Sequence, residues 1–512
     1  MARKISAKGK PPKKRAAAAA ELSPHGYRWL VECLALVAFV TVVAWWHPAI
    51  PRASDEANYI ATAFKIGRDF KLTAATHHYL DILEHGTDHK PVKMPAYLVA
   101  LAVWLKVFPN PDHVRWLNLL LFGAAVLLML RLVVTRRDGY FARNVVAGFV
   151  LLSAPLGLAY AKTAMMESFV LLVVTLHFGS WFRPGHERTK LLAFFLTGFL
   201  AVTTKEVLAL LSFAIVLVYA RDFYRMYVDL YRRGKLIFTV HILLPVALAA
   251  SAIWLYQDRG YFPSFRNRLA EADDWATVAK MVADNFTANF GMFTHWSSFP
   301  HDYLYGYALA MCAACAVLAV ATRGGPAMRL NLTLFVAWSL NILLICAFYD
   351  NWDWRSHRIF FVYAWLTSAA IVWQWSQASA STTAWTGSIA VLLAVQVFLC
   401  LMVDRRFIFH RTPSPQERHV LTRLGIARQG DCLLSPFDFQ FLVENARCEL
   451  IWMLPQPGAE LNAVVRRARP RFIILPAQVD MTDLSYRRMA IVRRGQPSAY
   501  WQVWVHDDLG SG

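Results

Sequence analysis

Apolar runs of about 20 residues recur along this chain, and they constrain its fold more than any other feature. A helix of that length crosses the hydrocarbon core of a bilayer and satisfies its own backbone hydrogen bonds there. The runs lie at 27–47, 114–134, 145–161, 167–182, 190–204, 206–220, 236–256, 303–321, 330–349, 358–375 and 384–403. The sequence therefore predicts an all-α polytopic membrane protein with about eleven transmembrane helices.

Basic residues give this chain a direction in the membrane. The net charge of +19 is concentrated in the N-terminal tail and in short connections between the runs, at 135–144, 183–190, 221–235 and 322–329. Because cytoplasmic loops retain Lys and Arg, these segments are predicted to lie inside. The segments predicted to lie outside are 48–113, 162–166, 257–302, 350–357 and all residues after 404. A basic charge distributed in this way does not indicate nucleic-acid binding.

Three regions follow from this topology. Residues 1–26 are predicted to be a disordered basic cytoplasmic tail, residues 27–409 a transmembrane domain, and residues 410–512 a small extracytoplasmic α/β domain with alternating short apolar runs and helical stretches. Residues 94–108 are apolar but would invert every later loop if they crossed, so we expect an interfacial or re-entrant helix there. Cys432 and Cys448 could form a disulfide if the last region lies outside.

Ionisable residues are concentrated on the predicted outer face. Asp55 and Glu56 open the first outer loop, shortly after the first apolar run. The same face is predicted to carry Lys162, Glu167, Lys205, His295, His301, Arg355 and Arg358. Cations of this kind bind phosphate, and a carboxylate can accept a proton from a hydroxyl group. Each of these residues, taken alone, also has a non-catalytic interpretation. Asp55 and Glu56 could be solvated surface acids, Lys162 could reach lipid headgroups, and Lys205 and Glu206 could neutralise each other in a turn.

The order of these motifs resembles the GT-C class of membrane glycosyltransferases that use polyprenyl-phosphate sugars, such as protein O-mannosyltransferases and lipid A aminoarabinose transferases. The matching segments are Asp55-Glu56-Ala57-Asn58-Tyr59, Gly67-Arg68-Asp69-Phe70, His89-Lys90-Pro91-Val92-Lys93, Tyr160-Ala161-Lys162 with Glu167, Thr204-Lys205-Glu206 and Arg358-Ile359. The resemblance covers roughly residues 27–375. The chain departs from the pattern of the class at Val92, Glu206 and Ile359.

The resemblance implies a GT-C-like fold and an inverting transfer of a sugar from a polyprenyl-phosphate donor to a hydroxyl of a lipid, a glycan or a protein, at the outer face of a bacterial inner membrane. The catalytic residues would be Asp55 as general base, with Glu56 and Glu167. Lys90, Lys162, Arg355 and Arg358 would hold the lipid phosphate. Supporting residues would be Tyr59, Lys205, His295 and His301.

The resemblance leaves the need for a divalent metal (Mg, Mn or Zn) open, with His89, Glu56 and Glu167 as candidate ligands. The main alternative function is a transporter or flippase of lipid-linked sugars. Such proteins have charges or helix breaks near the middle of their spans, often in paired halves. Here the ionisable residues lie at the outer ends of the spans, which favours the enzyme.

Overall fold

The computed structural model describes residues 54–78, 95–110, 113–134, 140–163, 165–183, 187–256, 274–290, 300–348, 354–377, 383–401, 432–436, 449–453, 460–476, 486–494 and 499–506. The predicted tail 1–26 and the predicted span 27–47 lie outside these residues. So does Cys448, the proposed disulfide partner of Cys432.

Two short helices and a strand form the described part of segment 48–113, which is predicted to lie outside. Helix α1 spans Ser54–Asp69, strand β1 spans Thr76–His78, and helix α2 spans Pro95–Val107. Helix α2 begins with a proline, which suits the first turn because its missing N–H has no helical partner there. Its 13 residues extend about 20 Å, less than the roughly 30 Å of a bilayer core. Helices α1 and α2 pack against each other, so the loop has a structured core.

Thirteen further helices form a bundle in the described part of the chain. They are α3 (Val114–Val133), α4 (Tyr140–Leu152), α5 (Gly157–Ala161), α6 (Glu167–Phe182), α7 (Glu187–Thr204), α8 (Ala209–Val218), α9 (Ala220–Arg233), α10 (Lys235–Tyr256), α11 (Trp275–Phe290), α12 (Pro300–Ala321), α13 (Pro326–Phe348), α14 (Trp354–Gln377) and α15 (Thr383–Leu399). Helix α14 packs against α3, α4, α12, α13 and α15. Its Trp365 is completely buried and donates a hydrogen bond to the Leu151 carbonyl across 3.3 Å. Trp365 therefore joins α14 to α4 in the interior of the bundle.

Three described helices are long and apolar enough to cross a membrane: α3, α10 over Lys235–Trp254, and α13 over Pro326–Leu344. A fourth candidate is the bent pair Glu206–Val218 and Ala220–Arg233, whose halves meet at 76°. Six shorter apolar helices accompany them in the described segments. The mostly helical membrane fold agrees with the sequence, while the number of eleven spans stays a prediction.

A six-stranded sheet combines the C-terminal region with strand β1 of segment 48–113. Its further strands are β2 (Cys432–Pro436), β3 (Glu449–Met453), β4 (Phe472–Pro476), β5 (Tyr486–Arg494) and β6 (Ala499–His506), in the order β1-β3-β2-β4-β6-β5. Strands β1 to β4 are parallel, and β6 is antiparallel to β4 and β5. Helix α16 (Glu460–Ala468) buries Val464 and Val465 in the same core as Ile473. The sheet expected within 410–512 thus takes one strand from outside that range.

Candidate functional site

Glu56 and Tyr59 start the site from helix α1. Glu56 is the third residue of the helix and is completely buried. Tyr59 follows almost one turn later, and its ring meets the Tyr97 ring edge-on with 5.8 Å between centroids. Asp55, the predicted base, is the second residue of the same helix, and its side chain lies outside what the structure describes. The acid pair is therefore carried by a packed helix rather than by an extended loop.

Tyr97, on helix α2, is the point at which the two acidic segments converge. Burial raises the pKa of Tyr97 well above its usual range, a hydrogen bond from Asn118 lowers it, and the charges of Tyr59, Glu167 and Glu56 raise it further. Glu56 lies three residues before Tyr59 on α1, and Glu167 lies two residues before Phe169 on α6. Because the Tyr97 ring lies 5.8 Å from the Tyr59 ring and 5.9 Å from the Phe169 ring, between centroids, the helices that carry the two acids meet at this tyrosine.

Asn118 holds the turn between α5 and α6 at this site. Its side-chain amide donates to the Thr163 carbonyl at 2.6 Å and the Met165 carbonyl at 2.5 Å, and approaches the Tyr97 hydroxyl at 3.5 Å. These carbonyls belong to the turn between α5 and α6, which follows Lys162 directly. One buried amide on α3 thus holds the α5–α6 turn and the central tyrosine together.

Gly157 allows helix α5 to approach the bundle closely. A Cβ atom at this position would lie 3.3 Å from the Phe122 ring of α3, closer than most real contacts of this kind. The preceding Leu156 has φ +67°, a left-handed conformation that is costly for a branched side chain. The resulting sharp turn presents Lys162 at the end of α5.

One cation of the site lies beside an acid, and a second is buried nearby in sequence. Lys205 Nζ is 3.9 Å from Glu167 Oε1, with 4% and 0% of the side chains exposed. Lys205 stands at the break between α7 and a short 3-10 turn, Glu206–Leu208, and it turns toward α6 rather than only toward its neighbour Glu206. Lys162 is buried as well, and burial lowers its pKa to about 8. The site therefore contains both carboxylates and ammonium groups away from bulk water.

The remaining predicted site residues are not part of this described geometry. His89, Lys90 and His295 lie outside the described residues. His301 is the second residue of α12, and Arg355 and Arg358 lie in the first turns of α14, with their side chains outside the description. The structure brings Tyr59 to Tyr97 and Lys205 to Glu167, and it packs the helices that carry Glu56 and Glu167 around Tyr97; Lys162 is buried at the end of α5, next to the turn that Asn118 holds.

The sequence analysis missed Tyr97 and Asn118. Each is a polar residue inside an apolar segment, Tyr97 within 94–108 and Asn118 within 114–134. Polar groups within a membrane domain are costly unless they are paired, so their positions were a usable signal.

The described residues do not form a metal site. They contain no group of three or more His, Cys, Asp or Glu side chains that could hold an ion. Of the candidate ligands, Glu167 already lies against the Lys205 ammonium, which would repel a second cation. His89 lies outside the described residues.

Two solved structures share the architecture of this chain. Crystal structures of ArnT from Cupriavidus metallidurans, one bound to undecaprenyl phosphate and one in the apo state, align with TM-scores of 0.53 and 0.51. Both are 13% identical to this chain, and the alignments cover 94% and 95% of it and 98% and 100% of the ArnT chains. This chain has a GT-C glycosyltransferase fold.

This result confirms the GT-C-like fold that the motif order predicted. No protein-family model matches the chain. No curated protein sequence matches it either. At 13% identity the likeness to ArnT concerns the fold, so the roles of single residues rest on the geometry of this chain.

Proposed function

We propose that this protein is a glycosyltransferase that moves a sugar from a polyprenyl-phosphate donor to a hydroxyl acceptor. The observation that carries the proposal is that Tyr97 contacts the helices that carry Glu56 and Glu167, both buried, with the Lys205 ammonium 3.9 Å from Glu167. Carboxylates and cations held together out of water suit a reaction that releases a phosphate and takes up a proton. One of the ArnT structures with this fold holds undecaprenyl phosphate.

The proposed transfer is a single displacement with inversion. The acceptor hydroxyl attacks the anomeric carbon, and the bond from that carbon to the phosphate oxygen breaks, leaving its electron pair on the lipid phosphate. Asp55 accepts the proton of the hydroxyl. Inversion follows because the acceptor enters opposite the departing phosphate, with no covalent enzyme intermediate.

The cations act on the departing phosphate. Lys162, with a pKa of about 8, is mostly protonated at neutral pH and can neutralise this charge inside a buried site. Lys90, Arg355 and Arg358 are proposed as further phosphate contacts, and His295 and His301 as support. Lys205 offsets the cost of burying the Glu167 charge, so its proposed role is to position that carboxylate.

The proposed setting is the outer face of a bacterial inner membrane, with the N-terminus inside and the C-terminal region outside. The acceptor is proposed to be a lipid, a glycan or a protein that reaches this face. The distribution of basic connections between the apolar runs supports this orientation.

The test compares two Asp→Asn variants of the same helix. A deletion strain is complemented with wild type, Asp55→Asn or Asp69→Asn, and its glycolipids and glycans are profiled. Asp55→Asn should lower product formation by about 10²–10⁴-fold, the usual contribution of a general base. Asp69 forms a surface pair with Arg68 at 2.6 Å, and its variant should restore the product. Full restoration by Asp55→Asn, at equal membrane levels, would remove Asp55 as the base.

A further inference from the structure

Helix α9 has three distinct sides. The first side packs on the bundle: Phe223, Met226 and Leu230 are buried, and the Phe223 ring stacks on Trp181 with 4.3 Å between centroids. Asp222 is anchored by Arg329 at 2.6 Å. The helix is therefore a fixed part of the molecule, although the sequence indicated only a basic connection at 221–235.

The other two sides of α9 are exposed. Tyr224 and Tyr231, seven positions apart and therefore on one side, are 70% and 53% exposed. Arg221, Arg225 and Arg232, at intervals of four and seven, form the next side and are all exposed. At about 100° per residue, the tyrosine side lies between the buried side and the arginine side. The helix thus presents an aromatic flank that is bordered by a row of guanidinium groups.

The neighbours of α9 indicate what covers this flank. Helix α9 bends away from α8 by 76°, and α10 follows it directly. Among the described residues, none in the apolar window of α10, Lys235–Trp254, is fully buried, so lipid has to cover the side that faces away from α7 and α9. Helix α9, about 21 Å long, therefore connects the ends of two apolar helices. A helix in that place with an apolar flank beside a basic one is typical of a membrane surface.

We propose that the arginine side of α9 binds the phosphate groups of anionic phospholipids, with Tyr224 and Tyr231 at headgroup depth. The charge favours anionic lipid because Arg221, Arg225 and Arg232 project from the same side. A lipid surface fits better than a soluble protein because the tyrosine flank lies next to the lipid-covered α10. The predicted topology places this contact in the inner leaflet, opposite the proposed active site, and it does not depend on glycosyl transfer.

The experiment uses the full-length protein in a neutral detergent. Thermal unfolding is followed by tryptophan fluorescence while phosphatidylglycerol or phosphatidylcholine is added. For wild type, phosphatidylglycerol should raise the unfolding temperature in a saturable way and phosphatidylcholine should not. The variant Arg221→Gln/Arg225→Gln/Arg232→Gln should need roughly 100-fold more phosphatidylglycerol, about fivefold for each charge removed.

The matched control is Arg466→Gln/Arg487→Gln/Arg488→Gln, which removes three exposed charges from the sheet region. It should respond to phosphatidylglycerol as wild type does. Undecaprenyl phosphate, added separately, should stabilise wild type and both variants equally, which separates the two lipid phosphates. The proposal fails if wild type ignores phosphatidylglycerol, if the α9 variant keeps the full response, or if the control loses it. Capture of a soluble protein through these arginines without a lipid response would also overturn it.

Discussion

At the scale of single residues, Glu167 carries a negative charge into a place with no exposure to water. The sequence identified Glu167 and Lys205 as candidates but not as partners, because they lie 38 positions apart and Lys205 has an adjacent acid in Glu206. Helix α7 ends at Thr204, and this break in the helix turns Lys205 toward Glu167 of α6. Contacts of this kind depend on how helices pack, which local sequence does not encode.

The Glu167–Lys205 pair leads to a prediction on stability. Lys205→Met should destabilise the protein by about 3–5 kcal/mol, because it leaves a buried carboxylate without its ammonium. The double variant Lys205→Met/Glu167→Gln should regain most of that loss while remaining inactive. Detergent-solubilised variants can be compared by thermal or denaturant unfolding, with the exposed Lys280→Met as control. Strictly additive effects of the two substitutions would mean that the side chains do not interact.

Lys162 leads to a prediction on pH. Burial lowers its pKa from 10.5 to about 8, so the ammonium loses its charge as the pH rises through 8. If Lys162 holds the lipid phosphate, affinity for undecaprenyl phosphate should fall between pH 7 and 9.5, by at most about tenfold per pH unit above 8. Lys162→Arg, which stays charged, should bind with little pH dependence in this range. Equal pH profiles for the two proteins would exclude Lys162 from phosphate binding.

As the pH rises, the contribution of Lys162 to stability should change in the direction opposite to the affinity for lipid phosphate. Between pH 8 and 10.5 the unfolded chain keeps a proton on Lys162 that the folded protein has lost. The contribution of this residue to the free energy of unfolding therefore rises with pH in that window. A fall in lipid affinity that accompanies an unchanged or higher unfolding temperature would thus report on binding and not on unfolding.

At the scale of secondary-structure elements, the sequence predicted those helices whose apolar runs are continuous. The run 236–256 corresponds to α10 at Lys235–Tyr256, and the segment 94–108 corresponds to α2 at Pro95–Val107. Both helices can be predicted from local sequence, because the residues along each segment are almost all apolar. The run 206–220 was less well predicted: it divides into the 3-10 turn Glu206–Leu208 and α8, Ala209–Val218.

Two elements were not predicted, for different reasons. Helix α9 was missed because its arginines dominate the composition of the segment. The recurrence of Phe223, Met226 and Leu230 at helical spacing would have indicated it. Strand β1 is only three residues long, Thr76–His78, and it has no alternation of apolar and polar side chains. Such a segment becomes a strand only through pairing with β3, which no local pattern indicates.

At the scale of the whole molecule, β1 connects the predicted catalytic loop to the C-terminal sheet. Thr76, His77 and His78 pair in parallel with Leu450, Ile451 and Trp452. Just before β1, the Ala75 N–H donates to Thr62 Oγ1 of α1 at 3.1 Å, so the strand is also tied to the helix that carries Glu56. The two ends of the described chain therefore meet in one sheet, which requires both to lie on the same side of the membrane.

A disulfide across this pairing tests that arrangement. In a background with Cys432→Ser and Cys448→Ser, the variant Thr76→Cys/Leu450→Cys should form a cross-linked tryptic peptide on mild oxidation, because paired strand positions lie within disulfide reach. The control Leu72→Cys/Leu450→Cys should not, since residue 72 precedes the strand by several positions. Mass spectrometry detects the linked peptide, and thiol labelling counts the cysteines left free. Two fully labelled thiols in the first variant would show that the outer loop and the C-terminal sheet do not meet. A link that forms and leaves sugar transfer intact would instead mean that the sheet is closed around the loop while the enzyme works.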